Sequence, residues 1–286
     1  MPERRIAVVT DSPASVPAEL ADQHGIVVVP LQVIVGATSY DEGVDEGASP
    51  EMVAQALREF TPVSTSRPTP TRMGEVYASL AEQGYTEIVA VHLSSKMSGT
   101  FDSAEVAARS SPIPVHTVDS LQVGPATGYA ALAAAAVVEA GGSAEEAAEA
   151  ARARAAACAS LFYVDTLEYL RRGGRVGAAA ALLGGALAVK PLLTVIDGKI
   201  ESLEKVRTAG RALARLEELA AQGAGENRVE VTVAHLASPD RAQALADRLS
   251  ARVALAEPAR IVELGAVLGA HAGPGVVAVC VAPALD

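Results

Sequence analysis

Thr86-Glu87-Ile88-Val89-Ala90-Val91-His92-Leu93 runs directly into Ser94-Ser95-Lys96-Met97-Ser98-Gly99-Thr100, and then into Phe101–Ser110. The first stretch is a short, nearly continuous apolar run, which predicts a strand buried on both faces. The last predicts a helix. A hydroxyl-rich turn with a glycine, set between strand and helix, is where an α/β protein grips an anion. Backbone N–H groups point outward there, and the helix dipole favours negative charge. The turn lacks the Gly-x-x-x-x-Gly-Lys-Ser/Thr pattern of triphosphate loops, and no Gly-x-Gly-x-x-Gly follows the first strand. A different anionic head is expected.

Working outward, Arg5–Thr10 predicts a first strand, broken by Asp11-Ser12-Pro13, and Val16–His24 a helix. Ile26–Val35 reads as one buried strand. Ser49-Pro50-Glu51 opens a helix, with serine as the cap and proline in the first turn. Thr71–Gln83 predicts a helix, Pro114–Val118 a strand, and Ala126–Ala140 and Ser143–Ala157 two more helices. Ser143 and Glu146 form a capping box. Strands alternating with helices predict a parallel sheet covered on both faces.

Past the expected strand Leu161–Val164 the pattern changes. Thr166–Leu170 and Ala178–Ala188 predict helices. Leu192–Ile196, Asp197-Gly198 and Lys199–Val206 predict a hairpin, since Asp-Gly is a strong two-residue turn. Gly210–Gln222 and Pro239–Ala251 predict helices. Val229–Leu236, Arg260–Leu264 and Val276–Val281 predict strands. The expected fold is α/β in two domains. Residues 1–160 form an N-terminal parallel-sheet α/β/α domain, and residues 161–286 a C-terminal α+β domain with a mixed or antiparallel sheet.

With 286 residues and 50% hydrophobic content, the chain can fill two cores. Its net charge of −11 argues against nucleic acid and against attachment to anionic lipid by charge alone. Cys158 and Cys280 stand far apart, with no metal-ligand spacing, and are expected to be buried small hydrophobes. Tyr129–Val138 is too short to span a bilayer, and the first residues lead into a strand with no signal-peptide pattern. A cytoplasmic protein is expected.

Four polar clusters follow apolar runs: Thr10-Asp11-Ser12, Ser64-Thr65-Ser66-Arg67-Pro68, Ser94–Thr100 and His271-Ala272-Gly273-Pro274-Gly275. Each has two readings. Asp11-Ser12 is an Asx turn or a ligand group. Ser98 caps its own backbone or meets a ligand, and Gly99 beside it lets a ligand's oxygens approach the backbone. His271 is a buried loop histidine or a site residue. Arg171-Arg172-Gly173-Gly174-Arg175 is a solvated helix end, or it turns Arg175 into a cleft. Ser98 and His271 could also pair as nucleophile and base, although the Gly-x-Ser-x-Gly elbow is absent.

In this order the clusters resemble the DegV family. The matching stretches are Val9–Ser12, Thr65-Ser66-x-Pro68, His92–Thr100, Val118–Ser120, Leu167–Val176, Lys190–Leu192, Arg207-Thr208 and His271-x-Gly273-Pro274-Gly275. The resemblance covers essentially the whole chain. It implies a long-chain fatty acid bound in a cleft between the two domains. It also implies presentation of the acid to a separate ATP-dependent fatty acid kinase subunit. The chain would act as a carrier without chemistry of its own and with no cofactor beyond the bound fatty acid. Transient membrane contact would accompany this, and no nucleic acid. The implied carboxylate ligands are Thr65, Ser98, Gly99 and His271, with Arg175 close by. Ser66, Ser94, Ser95 and Asp11 are secondary candidates, and Arg207 would dock the kinase. Leu182, Leu183, Leu187 and Met97 are candidates for the tunnel lining. The chain departs from the family pattern at Arg67, which replaces a glutamine, and at Lys96, where glycine is common.

Overall fold

The computed structural model describes residues 4–177, 179 and 190–284. The strands are β1 (Ile6–Asp11), β2 (Ile26–Val29), β3 (Gln32–Val35), β4 (Thr38–Asp41), β5 (Val63–Ser66), β6 (Glu87–His92), β7 (Val115–Asp119), β8 (Ala159–Tyr163), β9 (Lys190–Ile196), β10 (Lys199–Val206), β11 (Arg228–His235), β12 (Ala254–Leu255), β13 (Arg260–Glu263) and β14 (Val277–Pro283). The helices are α1 (Ala18–Gln23), α2 (Pro50–Arg58), α3 (Pro70–Glu82), α4 (Thr100–Ala108), α5 (Pro125–Glu139), α6 (Ala144–Ala157), α7 (Glu168–Arg172), α8 (Ala209–Ala224), α9 (Pro239–Ser250) and α10 (Ala266–Ala272).

The chain divides into two units, Met1–Gln32 with Ser66–Ala156, and Val33–Thr65 with Ala157–Asp286. In the first unit the strands run parallel in the order β2-β1-β6-β7. Val8, Val89 and Val91 face the alanine-rich α5 and α6, while Ala7, Val9, Ile88 and Ala90 face α3 and α4. Both faces are covered, so the strands are apolar at every position rather than at alternate ones. Each such valine, fully buried, contributes about 1.5–3 kcal/mol. The capping box at α6 forms as read: Glu146 accepts from the Ser143 N–H at 2.7 Å, and the Ser143 hydroxyl accepts from the Glu146 N–H at 3.1 Å.

The second unit carries a mixed sheet in the order β10-β9-β8-β14-β11-β12, with β13 also on β11. All pairings along β10-β9-β8-β14-β11 are antiparallel, whereas β12 and β13 run parallel to β11. Asp197 and Gly198 both have positive φ (49° and 78°), the conformation a two-residue hairpin turn requires. Leu161, Tyr163, Leu192, Val277 and Val279 pack under Leu216 of α8 and Leu245 and Leu249 of α9.

Two sequence expectations need correction. Ile26–Val35 is two strands, β2 and β3, in different sheets. Pro30 separates them: proline has no N–H for the ladder. The Leu31 N–H donates instead to the Ser12 hydroxyl at 3.0 Å. β3 then joins β4 and β5, two short strands the sequence did not announce, in a three-stranded sheet of order β4-β3-β5. Val33, with Ala48, Val53 and Leu57, packs on Ala266 and Ala270 of α10. That contact explains why Val33–Thr65, read as part of residues 1–160, groups with the later residues. The helix expected at Ala178–Ala188 and the lining candidates Leu182, Leu183 and Leu187 lie outside the described residues. Among the described residues no helix is long and apolar enough to cross a membrane.

Candidate functional site

The first unit presents the Ser94–Thr100 turn at the carboxyl end of β6. Three successive backbone N–H groups tie it to the ends of β1 and β7 and to the loop after β7. Leu93 donates to Asp11 Oδ2 at 2.9 Å, Ser94 to the Gln122 carbonyl at 2.8 Å, and Ser95 to Asp119 Oδ1 at 3.2 Å. Asp11 Oδ2 is also hydrogen-bonded to His92 Nδ1 at 3.0 Å, with both side chains fully buried. Asp11 therefore sits behind the turn as a brace, not on the surface a ligand would meet. Ser94 is likewise buried; its carbonyl accepts from Met97 and Ser98, and its hydroxyl from Lys96. Ser95 acts through its backbone.

Ser98 and Gly99 lie half-buried at the start of α4. The Ser98 hydroxyl shares a hydrogen bond with the Thr100 hydroxyl at 2.9 Å and accepts from the Thr100 N–H at 3.3 Å. The local capping reading of Ser98 is thus present. Arg67 Nη1 donates to the Gly99 carbonyl at 3.1 Å, and a Cβ on Gly99 would fall 1.6 Å from that nitrogen. Glycine leaves room for the guanidinium to lie against the turn, which brings an exposed positive charge to it. The Ser66 hydroxyl donates to the Arg67 carbonyl at 3.3 Å.

We expect Asp119→Ala to loosen this turn, since each lost backbone hydrogen bond is worth about 1 kcal/mol. Asp119 Oδ1 also holds the Leu121 N–H at 3.0 Å, so two bonds go together. Asp119→Asn keeps an acceptor oxygen. Amide exchange at Ser95 and Leu121 should speed up in the alanine variant and stay near wild type in the asparagine variant.

In the second unit, Thr65 of β5 and His271 of α10 meet across 206 residues of sequence, with Oγ1 and Nε2 2.8 Å apart. His271 was expected in a loop; it occupies the last turn of a helix that ends at Gly273. Burial, with the positive charge of Arg175 beside it, pushes its pKa down to about 4. At neutral pH the ring is uncharged.

Three glycines make room for side chains in this part of the unit, the first of them for the histidine ring itself. A Cβ on Gly173 would fall 2.2 Å from His271 Nδ1, one on Gly273 2.0 Å from the Tyr169 ring, and one on Gly275 2.0 Å from Asp165 Oδ2. Asp165 in turn accepts from the Tyr163 hydroxyl and pairs with Lys190 Nζ at 3.3 Å and Arg241 Nη1 at 3.4 Å. Those partners hold its carboxyl below the usual range against the opposing effect of burial. Asp165 thus ties the motif residues Lys190 and Gly275 together.

The Arg171–Arg175 segment closes α7. Arg175 N donates to the Leu170 carbonyl and Gly174 N to that of Arg171, with Gly174 at φ 72°: a Schellman end. Arg171 and Arg172 pair with Glu168. Arg175 is exposed, and its Nη1 donates to the Gly173 carbonyl at 2.5 Å. Arg207 is exposed just ahead of Thr208, which caps α8. Among the described residues no His/Cys/Asp/Glu cluster could hold a metal ion.

The structure therefore joins Thr65, His271 and the Arg175 segment in one unit, and Ser98, Gly99, Ser94, Ser95 and Asp11 in the other. Sequence reasoning missed the roles of Gly173 and Asp165. A doubled glycine after a helix was the only signal for the first, because one glycine suffices to end a helix.

A family model described as "Uncharacterised protein, DegV family" matches residues 5–284. A DegV domain-containing protein of Streptomyces coelicolor is 53% identical over 97% of this chain and 98% of its own length. One from Mycobacterium tuberculosis is 37% identical over 96% of each. Among solved structures, a Thermus thermophilus DegV family protein described for its fatty acid binding superposes with a TM-score of 0.91. It is 32% identical, covering 98% of this chain and 100% of that one. DegV of Bacillus subtilis, described as a fatty acid binding protein, gives a TM-score of 0.90 at 31% identity, covering 99% and 100%.

Proposed function

We propose that this chain, which belongs to the DegV family, binds a long-chain fatty acid by its carboxylate and presents it to a separate ATP-dependent kinase. The observation that carries the reading is the half-buried Thr65–His271 pair with its uncharged ring. A carboxylate held by a hydroxyl and a neutral imidazole is oriented without being locked in a full salt bridge. Its oxygen stays available to a phosphoryl donor. Ser98 and Gly99 are the further head-group candidates on the first unit, and Ser66 a weaker one. Arg175 contributes charge beside His271, and exposed Arg207 is our candidate for kinase docking. The acyl chain supplies most of the affinity, at about 0.8 kcal/mol per buried methylene. Loading from a membrane would need only transient contact, and an ATP-consuming partner places the work in the cytoplasm.

We favour a carrier over a Ser/His hydrolase on two grounds. Ser98 and His271 are each hydrogen-bonded to a threonine of their own unit. A ring with a pKa near 4 is also a weak general base at neutral pH.

The direct test is mass spectrometry of an organic extract of the purified protein. A stoichiometric long-chain fatty acid supports the proposal. An empty extract, from protein that also fails to take up added oleate, overturns it. With binding established, Arg207→Ala should spare affinity and slow phosphorylation by the kinase.

A further inference from the structure

We infer that Glu42 is a positioning residue for the Thr65–His271 pair, acting through α10. The inference deepens the proposed fatty acid site and rests on that reading for its functional consequence. Glu42 follows β4 directly, in the inserted segment Val33–Thr65. It is 7% exposed. A carboxylate that far out of water is costly unless something specific holds it. Its Oε1 accepts from the Val267 N–H at 2.8 Å, in the first turn of α10. Gly265, the residue that caps this helix, has no side chain of its own to do so. A Cβ there would fall 2.2 Å from Glu42 Oε1 and 2.9 Å from its carboxyl carbon. The cap thus arrives from 225 residues away, and a glycine makes room for it. A negative charge at this end is also favoured by the helix dipole.

The other end of α10 carries His271. The helix has seven residues, only about 10 Å of rise, so a displacement at one end reaches the other. One inserted segment therefore grips α10 three times. Glu42 holds its first turn, Val33, Val53 and Leu57 pack on its Ala266 and Ala270, and Thr65 meets His271 at its end. The segment that supplies the threonine also sets the register of the histidine. The bond from the Val267 N–H is the link by which Glu42 acts on the pair, so its effect passes through the helix.

The test reads His271 itself. Its titration is followed by NMR of the histidine ring protons in ligand-free wild type, Glu42→Ala, Glu42→Gln and Gly265→Ala. Glu42→Gln keeps an acceptor for Val267 and should stay near wild type. Glu42→Ala removes the cap, and Gly265→Ala displaces the carboxyl from the opposite side. Both should raise the His271 midpoint by a unit or more as the ring gains water. Both should also narrow the preference for oleate over oleyl alcohol about tenfold, whereas a merely stabilising role would leave midpoint and preference alone. A midpoint unchanged in both alanine variants overturns the inference, and if Glu42→Ala fails to fold, Gly265→Ala decides alone. If the midpoint moves while wild type binds no oleate, the positioning role stands and the fatty acid proposal falls.

Discussion

Gly173→Ala is expected to lower fatty acid affinity as much as His271→Ala, although Gly173 contributes no side chain to the site. Gly173 has φ −72° and ψ −10°, a right-handed conformation open to any residue. Its glycine is therefore required for space. The added Cβ would meet His271 at 2.2 Å (Nδ1) and 2.8 Å (Cε1), with the Tyr169 carbonyl at 3.3 Å on the same side. The ring must move, and with it the 2.8 Å contact to Thr65. A hydrogen bond to a charged group is worth about 1.5–3 kcal/mol, so a loss of roughly ten- to hundredfold in Kd is expected for either variant. Gly174→Ala is the control. Gly174 has φ 72° and open space around it, so its alanine strains the backbone by about 1–2 kcal/mol without touching the ring. Calorimetric titration with oleate, paired with thermal unfolding, should separate the neighbours. Gly173→Ala should lose affinity, and Gly174→Ala should lose stability alone. Equal effects on affinity would mean that Gly173 serves only the helix end.

That pair of glycines shows what the sequence displayed and what it hid. Periodic and local signals were legible. The apolar run before Ser94 marked β6, Asp197-Gly198 marked its hairpin, and Ser143 with Glu146 marked a capping box that forms atom for atom. Each depends on residues a few positions apart. Glu42 and Gly265 depend on residues more than 200 positions apart, and nothing near either one differs from an ordinary surface acid or loop glycine. β4, Thr38–Asp41, was hidden for another reason: it is half exposed and carries no apolar alternation. β4 and the break at Pro30 together carry Val33–Thr65 out of the first unit and into the second. In the sequence Thr65 and His271 stand apart, each a polar residue after an apolar run. Their contact required the three-stranded sheet that carries Thr65 to α10.

The second large effect is on stability against pH, and its sign follows from the same histidine. His271 titrates near 4 in the folded chain and near 6.5 when unfolded. Between those values the unfolded state binds the extra proton, so stability rises with pH across the window. It is fully present above about 6.5 and is lost as pH falls toward 4. A depression of this size corresponds to roughly 3 kcal/mol. His235, lowered by burial against the opposing pull of Glu263, acts in the same direction. The depressed carboxylates add their loss further down. Glu168, held by Arg171 and Arg172, has a pKa of about 2, and Glu217, bonded to Arg252 and Arg248, also lies below its usual value despite burial. Their contributions begin to fall only as the pH enters the ordinary carboxylate range near 4.5, so the histidine loss comes first. Urea unfolding of ligand-free protein at pH 7, 5.5 and 4.5 should show the decline, and His271→Gln should flatten much of it. An identical slope in the variant would assign the decline to other groups. The ring is uncharged because burial has stripped it of water, and that same burial makes it a hydrogen-bonding partner rather than a counter-ion. Acidification that protonates His271 should therefore weaken the fold before it could strengthen any hold on a carboxylate.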